Sequence, residues 1–282
     1  MEDHRHKNLR PSASICGSRY LMNIYYEQQG QGPDVVLLHG WSFHGGVWAD
    51  VARALSINYR VTVFDLPGHG RSRDAVPSEF TPEVLADTVR RVVPGPAIWI
   101  GWSLGGFIAL AAAQHHPEQL SKLVLVGATP KYVRSADWPH AMLPSVLAQF
   151  AQDVETDYAA TFTRFLSLQS AAGEDRDMLR KLRDELFLYG EPAKGALRGG
   201  LQLLRDEDRR AVLPGINIPT LVIHGERDRL VPVGAAQYVA SHLPDARLEI
   251  IPGAGHAPFL SHPSVFMQKL NEFVQYDKTS EP

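Results

Sequence analysis

Short, uninterrupted apolar runs alternate with segments of helical period over most of this chain. Val35-Val36-Leu37-Leu38, Arg60 to Asp65, Ala97 to Trp102, Lys122 to Gly127, Pro219 to Gly225 and Arg247 to Ile251 read as strands. Runs this apolar, with no polar residue at every second place, are expected of strands covered on both faces in a parallel sheet. Between and after them, Val47 to Leu55, Pro82 to Val93, Leu104 to His115, Val233 to Leu243 and Pro263 to Val274 carry the period of helices. Thr81 before Pro82 is the expected N-cap of the second of these, because its hydroxyl can accept an orphan N–H while proline needs no partner at the first helical position. Leu21 to Gln28 reads as an opening strand. Strand and helix in regular alternation predict an α/β fold with a mainly parallel, doubly wound sheet.

The alternation stops between residues 130 and 213. There the pattern is helical throughout (Val146 to Phe150, Tyr158 to Leu168, Arg176 to Leu188, Lys194 to Leu204), broken by Pro139, Pro144, Gly173 and Gly190-Glu191-Pro192. An all-helical insertion between two core strands is expected at the C-terminal edge of the sheet, where ligands bind, and so reads as a lid. The expected division is a core of residues 21–129 and 214–282 with a lid of 130–213. Residues 1–20 show no such periodicity and read either as a disordered leader or as a mis-assigned start, with Met22 the true first residue.

The sharpest local signal is Gly101-Trp102-Ser103-Leu104-Gly105, placed between an apolar run and an alanine-rich helical run. Strand, serine between glycines, then helix is the order of a nucleophile elbow, in which the serine occupies a strained turn and small neighbours let strand and helix pass closely. Ser103 is therefore the candidate nucleophile. A serine hydroxyl needs a base at neutral pH, and an imidazole oriented by a carboxylate supplies one. Asp228 and His256 each follow a predicted strand, in the chain order Ser…Asp…His that elbow enzymes use. Backbone N–H groups of Trp41, after His39-Gly40, and of Leu104 are the candidate oxyanion donors. The His39 ring, Asp65 and His69 read as structural loop residues.

Composition narrows the partners. The 28 basic and 31 acidic residues give a formal charge of −3, so there is no net field to hold nucleic acid or an anionic membrane. One cysteine, Cys16, excludes an internal disulfide and a cysteine-rich metal centre. Without an apolar segment behind the basic start, and without a run of membrane-spanning length, a cytoplasmic monomer is expected. The triad needs neither metal nor cofactor.

These motifs resemble the α/β-hydrolase fold, and within it the pimeloyl-[acyl-carrier protein] methyl ester esterases of biotin synthesis. The resemblance spans roughly Met22 to Val274. It is carried by Leu37-Leu38-His39-Gly40-Trp41, Ile98 to Gly106, Asp137-Trp138-Pro139, Arg164 to Gln169, Gly199-Gly200-Leu201 and His256 to Pro263. It implies a serine carboxylesterase that cleaves a pimeloyl methyl ester on acyl carrier protein through an acyl-Ser103 intermediate. It also implies substrate contacts at Trp41, Ser103, Leu104, Phe165, Leu166, Ser167, Leu168, Gln169 and His256. Family lid arginines bind the carrier. Here Arg164, and Arg176 and Arg180 spaced with Arg183 along one helix face, are the candidates, while Ala160 stands where well-known members have arginine. An ordinary solvated face is the competing reading of those arginines. Competing readings of the whole are a broad carboxylesterase, lactonase or carbon–carbon bond hydrolase of the same fold, or a non-catalytic receptor.

Overall fold

The structure, a computed structural model, describes residues 24–170 and 176–275; the leader and the expected strand start at Leu21 lie outside them. Its sheet has seven strands: β1 (Tyr26–Gln29), β2 (Asp34–Leu38), β3 (Arg60–Phe64), β4 (Ala97–Trp102), β5 (Leu120–Val126), β6 (Thr220–Gly225) and β7 (Ala246–Ile251). They lie in the order β1-β3-β2-β4-β5-β6-β7. All neighbours are parallel except the edge strand β1, which runs antiparallel to β3. The apolar runs form its middle: every residue of β4 and β6 is buried, as is Val35 to Leu38 of β2.

The core helices are α1 (Ala49–Leu55), α2 (Pro82–Arg90) and α3 (Leu104–His115). Thr81 caps α2 as its sequence predicts, accepting the Val84 N–H at 3.2 Å. All of Leu104 to Ala113 in α3 is buried, more than the one stripe a surface helix hides, because the sheet and α2 enclose it. Four helices follow between β5 and β6: α4 (Pro144–Thr156), α5 (Tyr158–Ser170), α6 (Arg176–Phe187) and α7 (Lys194–Asp206). The core resumes with α8 (Val233–His242), a short α9 (Pro258–Ser261) absent from the sequence reading, and α10 (Pro263–Val274).

Because β2 to β7 are parallel, the loops that leave β2, β4, β6 and β7 emerge at one edge of the sheet. Those loops carry His39 to Trp41, Ser103, Asp228 and His256 respectively. The crossing of β4, β2 and α3 just beneath them is tight. A Cβ on Gly105 would stand 2.4 Å from the Leu38 carbonyl oxygen, and one on Gly101 would stand 2.3 Å from the Gly105 carbonyl oxygen. Backbone cannot yield there as a side-chain tip could. Gly105→Ala is therefore expected to lose about 1–3 kcal/mol to overpacking despite alanine's better helix propensity. That corresponds to a fall of about 2–4 °C in Tm per kcal/mol for a chain near this size, checked by thermal unfolding.

Candidate active site

Ser103 joins β4 to α3 with φ 52° and ψ −116°, a left-handed backbone rarely open to a residue with a Cβ. Its own N–H is tied to the Val126 carbonyl at 2.9 Å, while its carbonyl accepts the Phe107 N–H at 3.1 Å, so the turn is fixed on both sides. Leu104 is the first residue of α3, and its N–H therefore has no carbonyl four residues back to bond. Trp41 sits at the end of β2's loop, in a turn closed by Phe43 N–H to the Gly40 carbonyl at 3.2 Å.

The acid and base are joined. Asp228 Oδ2 lies 2.7 Å from His256 Nδ1, and Asp228 Oδ1 accepts the N–H groups of Leu230 and Val231 at 2.9 Å each. Burial alone would raise this carboxyl, but the facing His256, its hydrogen bond and His224 together hold the pKa below the ordinary aspartate value. Asp228 is thus a carboxylate at neutral pH. With Nδ1 engaged, Nε2 is the nitrogen left for chemistry, and His256 and Ser103 line the same cleft. The His256 loop is anchored from beneath, its carbonyl accepting Trp102 Nε1–H at 2.8 Å.

That cleft has a volume of about 610 Å³, part of it open to solvent. Trp41, Phe43, Trp102, Leu230 and Val231 form its core side, and Met142, Leu147, Phe150, Phe162 and Leu204 come from the inserted segment. Trp41 packs on Phe150 and Phe162 with centroids 5.8 and 5.5 Å apart. Polar groups are few: besides Ser103 and His256, Tyr132 lines it, its hydroxyl buried beside Ser103. Burial raises the Tyr132 pKa despite the opposing effect of Ser103 beside it, so this phenol keeps its proton. Among the described residues no group of His, Cys, Asp and Glu is arranged to hold a metal ion.

A serine poised on a strained turn, an aspartate-oriented imidazole and free N–H groups at a helix start can together carry acyl transfer. A family model described as the α/β-hydrolase fold matches residues 33–263. The chain belongs to the α/β-hydrolase family. It is 43% identical over 250 residues to a pimeloyl-[acyl-carrier protein] methyl ester esterase of Nitrosomonas europaea, covering 88% of this chain and 98% of that one. To the enzyme of the same name from Chromobacterium violaceum it is 44% identical over 255 residues, covering 90% and 99%. Among solved structures, an esterase from Exiguobacterium antarcticum superposes with a TM-score of 0.81 at 28% identity, covering 90% of this chain and 96% of that one.

Not every expected site residue enters this cleft. Leu166 of α5 is buried within the apolar packing and is not among the residues lining it. The side chains of Phe165, Ser167, Leu168, Gln169 and Arg176 lie outside the described residues. Arg164 is exposed and pairs with Asp153 of α4 at 3.2 Å; Arg180 is exposed on α6. Sequence reading passed over Trp102 as an anchor, Tyr132, and Phe150 and Phe162. The last two stand at apolar positions of amphipathic helices, but a helical period names a face and not what that face meets.

The histidines read as structural are so placed: His39 Nε2 accepts the Leu66 N–H at 2.8 Å, and His69 Nδ1 faces the Pro67 carbonyl at 3.0 Å. Burial drives their pKa values down to about 3 and about 4, and lowers that of His224 as well.

Each of these histidines is more basic in the unfolded chain, near pKa 6.5, so as pH falls below that value the unfolded state takes up protons that the folded state refuses. Folding free energy is expected to fall between about pH 6.5 and 4 by up to about 1.4 kcal/mol per pH unit for each such histidine, and His69→Gln should flatten the slope in urea titrations. For activity, Ser103→Ala is expected to abolish ester turnover with Tm retained. Asp228→Asn should lower kcat by about 10⁴ through loss of imidazole orientation, measured by steady-state hydrolysis.

Proposed function

We propose that this protein is a serine carboxylesterase that hydrolyses the methyl ester of a pimeloyl chain carried on acyl carrier protein, the step that frees the pimeloyl carboxylate in biotin synthesis. Ser103 Oγ attacks the ester carbonyl as His256 Nε2 takes its proton. The N–H groups of Trp41 and Leu104 receive the oxyanion, each donor contributing about 10²–10³ in rate. Collapse expels methanol, protonated by His256. Water, activated by the same imidazole, then releases the carboxylate from acyl-Ser103, and Asp228 holds the imidazole tautomer in both halves.

The observation that carries the chemistry is the ionised Asp228 bonded to His256 at 2.7 Å, sharing one cleft with a Ser103 held at φ 52°. The acyl preference is supported by the nearly uncharged wall of that cleft, which suits a methylene chain ending in a neutral methyl ester and would desolvate a free carboxylate at a cost. Support for the particular ester comes from relatives of that name that the chain matches over nearly their whole length. A broad short-chain esterase is the competing reading. Apolar walls discriminate by only about 1–3 kcal/mol per methylene, so the cleft admits other acyl chains. Rates on the carrier-linked methyl ester against short nitrophenyl esters separate the two, and growth of a strain lacking the methyl esterase, with Ser103→Ala as control, tests the pathway role.

In this reading the residue 130–213 segment is the lid, and Arg164, Arg176 and Arg180 on its helices dock the acidic carrier. The ion pair between Arg164 and Asp153 weakens the contribution of Arg164. The Arg176→Glu, Arg180→Glu double variant is expected to lower kcat/KM for the carrier-bound ester about tenfold or more at low salt, and less as salt screens the attraction. A free short ester should be unaffected, and stopped-flow hydrolysis of both substrates over a salt series reads the difference.

A further inference from the structure

Among the described residues, only two without a glycine's freedom adopt a positive φ: Ser103, and Ser42 at φ 73°. Ser42 is the third residue of the turn Gly40-Trp41-Ser42-Phe43, closed by the Phe43 N–H on the Gly40 carbonyl. A negative φ at Trp41 followed by a positive φ at Ser42 is the pattern of a type II turn, whose third position favours glycine. A serine there is strained, and such strain persists only where the surroundings over-determine it.

One such restraint comes from the inserted helices. Ser42 Oγ and the Tyr158 hydroxyl are 2.6 Å apart, and both side chains are buried. Tyr158 opens α5, whose first turn is capped by Asp157 accepting the Ala160 N–H at 2.9 Å. Its ring is wedged against Phe162, with centroids 4.7 Å apart, and meets Phe187 of α6 edge-on at 6.0 Å. Burial raises the Tyr158 pKa even against its hydrogen bond with Ser42, so the phenol stays protonated and the contact is a neutral one. Relaxing Ser42 to negative φ would turn the peptide between Trp41 and Ser42 over, converting the turn toward type I. That peptide is one link from the Trp41 N–H.

We infer that Tyr158 is a positioning residue which, by gripping Ser42 from the insertion, holds the strained turn that aims the Trp41 N–H at the developing oxyanion. The inference rests on the reading of Trp41 as an oxyanion donor. It makes a correctly seated insertion a condition of a complete oxyanion hole. Closing the cleft and assembling its catalytic electrostatics are then one event, with no contact between Tyr158 and substrate.

The test uses the full-length enzyme and p-nitrophenyl butyrate, so that it does not depend on the carrier-linked substrate. Tyr158→Phe removes one oxygen and Ser42→Ala removes the other partner while keeping a Cβ at the strained position. Each is expected to lower kcat about tenfold, to leave KM within about twofold, and to weaken a trifluoromethyl ketone transition-state analogue in proportion to kcat. Adding Ser42→Gly to Tyr158→Phe should recover most of the lost kcat, because glycine adopts the turn unaided. Thermal unfolding and fluorophosphonate labelling of Ser103 establish that each variant is folded. Unchanged kcat in both single variants, or a loss that Ser42→Gly does not relieve, overturns the inference; in either case wild-type turnover and its abolition by Ser103→Ala still report separately on the esterase reading.

Discussion

Ser103 can hold a left-handed backbone only because β4 and α3 are pressed together beneath it. Such a residue costs about 1–3 kcal/mol, and the turn cannot relax because the rest of the crossing forbids it. The Ser103 N–H is spent on Val126 and its carbonyl on Phe107, and α3 is buried along Leu104 to Ala113. The absence of side chains at Gly101 and Gly105 lets the helix approach within contact of Leu38 and of β4 itself. The strain at one residue is thus borne by the most deeply packed part of the molecule. The result is a hydroxyl raised at the sheet edge and a helix N-terminus aimed at the same place.

Electrostatics at that edge are divided by burial and pairing. Asp228 is fully enclosed yet remains ionised, because it receives two backbone N–H groups and faces His256. His39 and His69 are equally enclosed but bond backbone groups rather than a carboxylate, and burial keeps them, and the buried His224, neutral. His224 shows how close the balance is: its Nε2 is 3.4 Å from Asp228 Oδ2, but its short bond, 2.7 Å, goes to the Val231 carbonyl. Neighbouring histidines of one chemical type are thereby sorted into one bonded to a carboxylate and several fixed by backbone groups.

The inserted helices contribute shape more than charge. Their apolar faces supply Phe150 and Phe162 to the cleft and pack them on Trp41, the residue proposed as an oxyanion donor. In the proposed mechanism, substrate fit and oxyanion stabilisation meet at a single loop. A wall of this kind favours methylenes and a neutral ester, and leaves the fine discrimination among acyl chains to whatever the other end of the substrate contacts.

The chain's own pattern fixed the alternating core, the interruption after Pro130, the Thr81 cap, the elbow and the order of Ser103, Asp228 and His256. Those features are local: they follow from period, capping and turn chemistry within a few residues, and parallel strands then bring every strand-end loop to one edge. Folding in three dimensions decided what locality cannot encode. That α3 is enclosed on all sides, that Trp102 ties down the His256 loop, that Tyr132 faces Ser103's cleft and that Tyr158 reaches Ser42 across 116 residues are contacts between distant segments. A side chain's period states which way it points from its own helix or strand; only packing, which maximises apolar burial over the whole chain at once, determines what waits there.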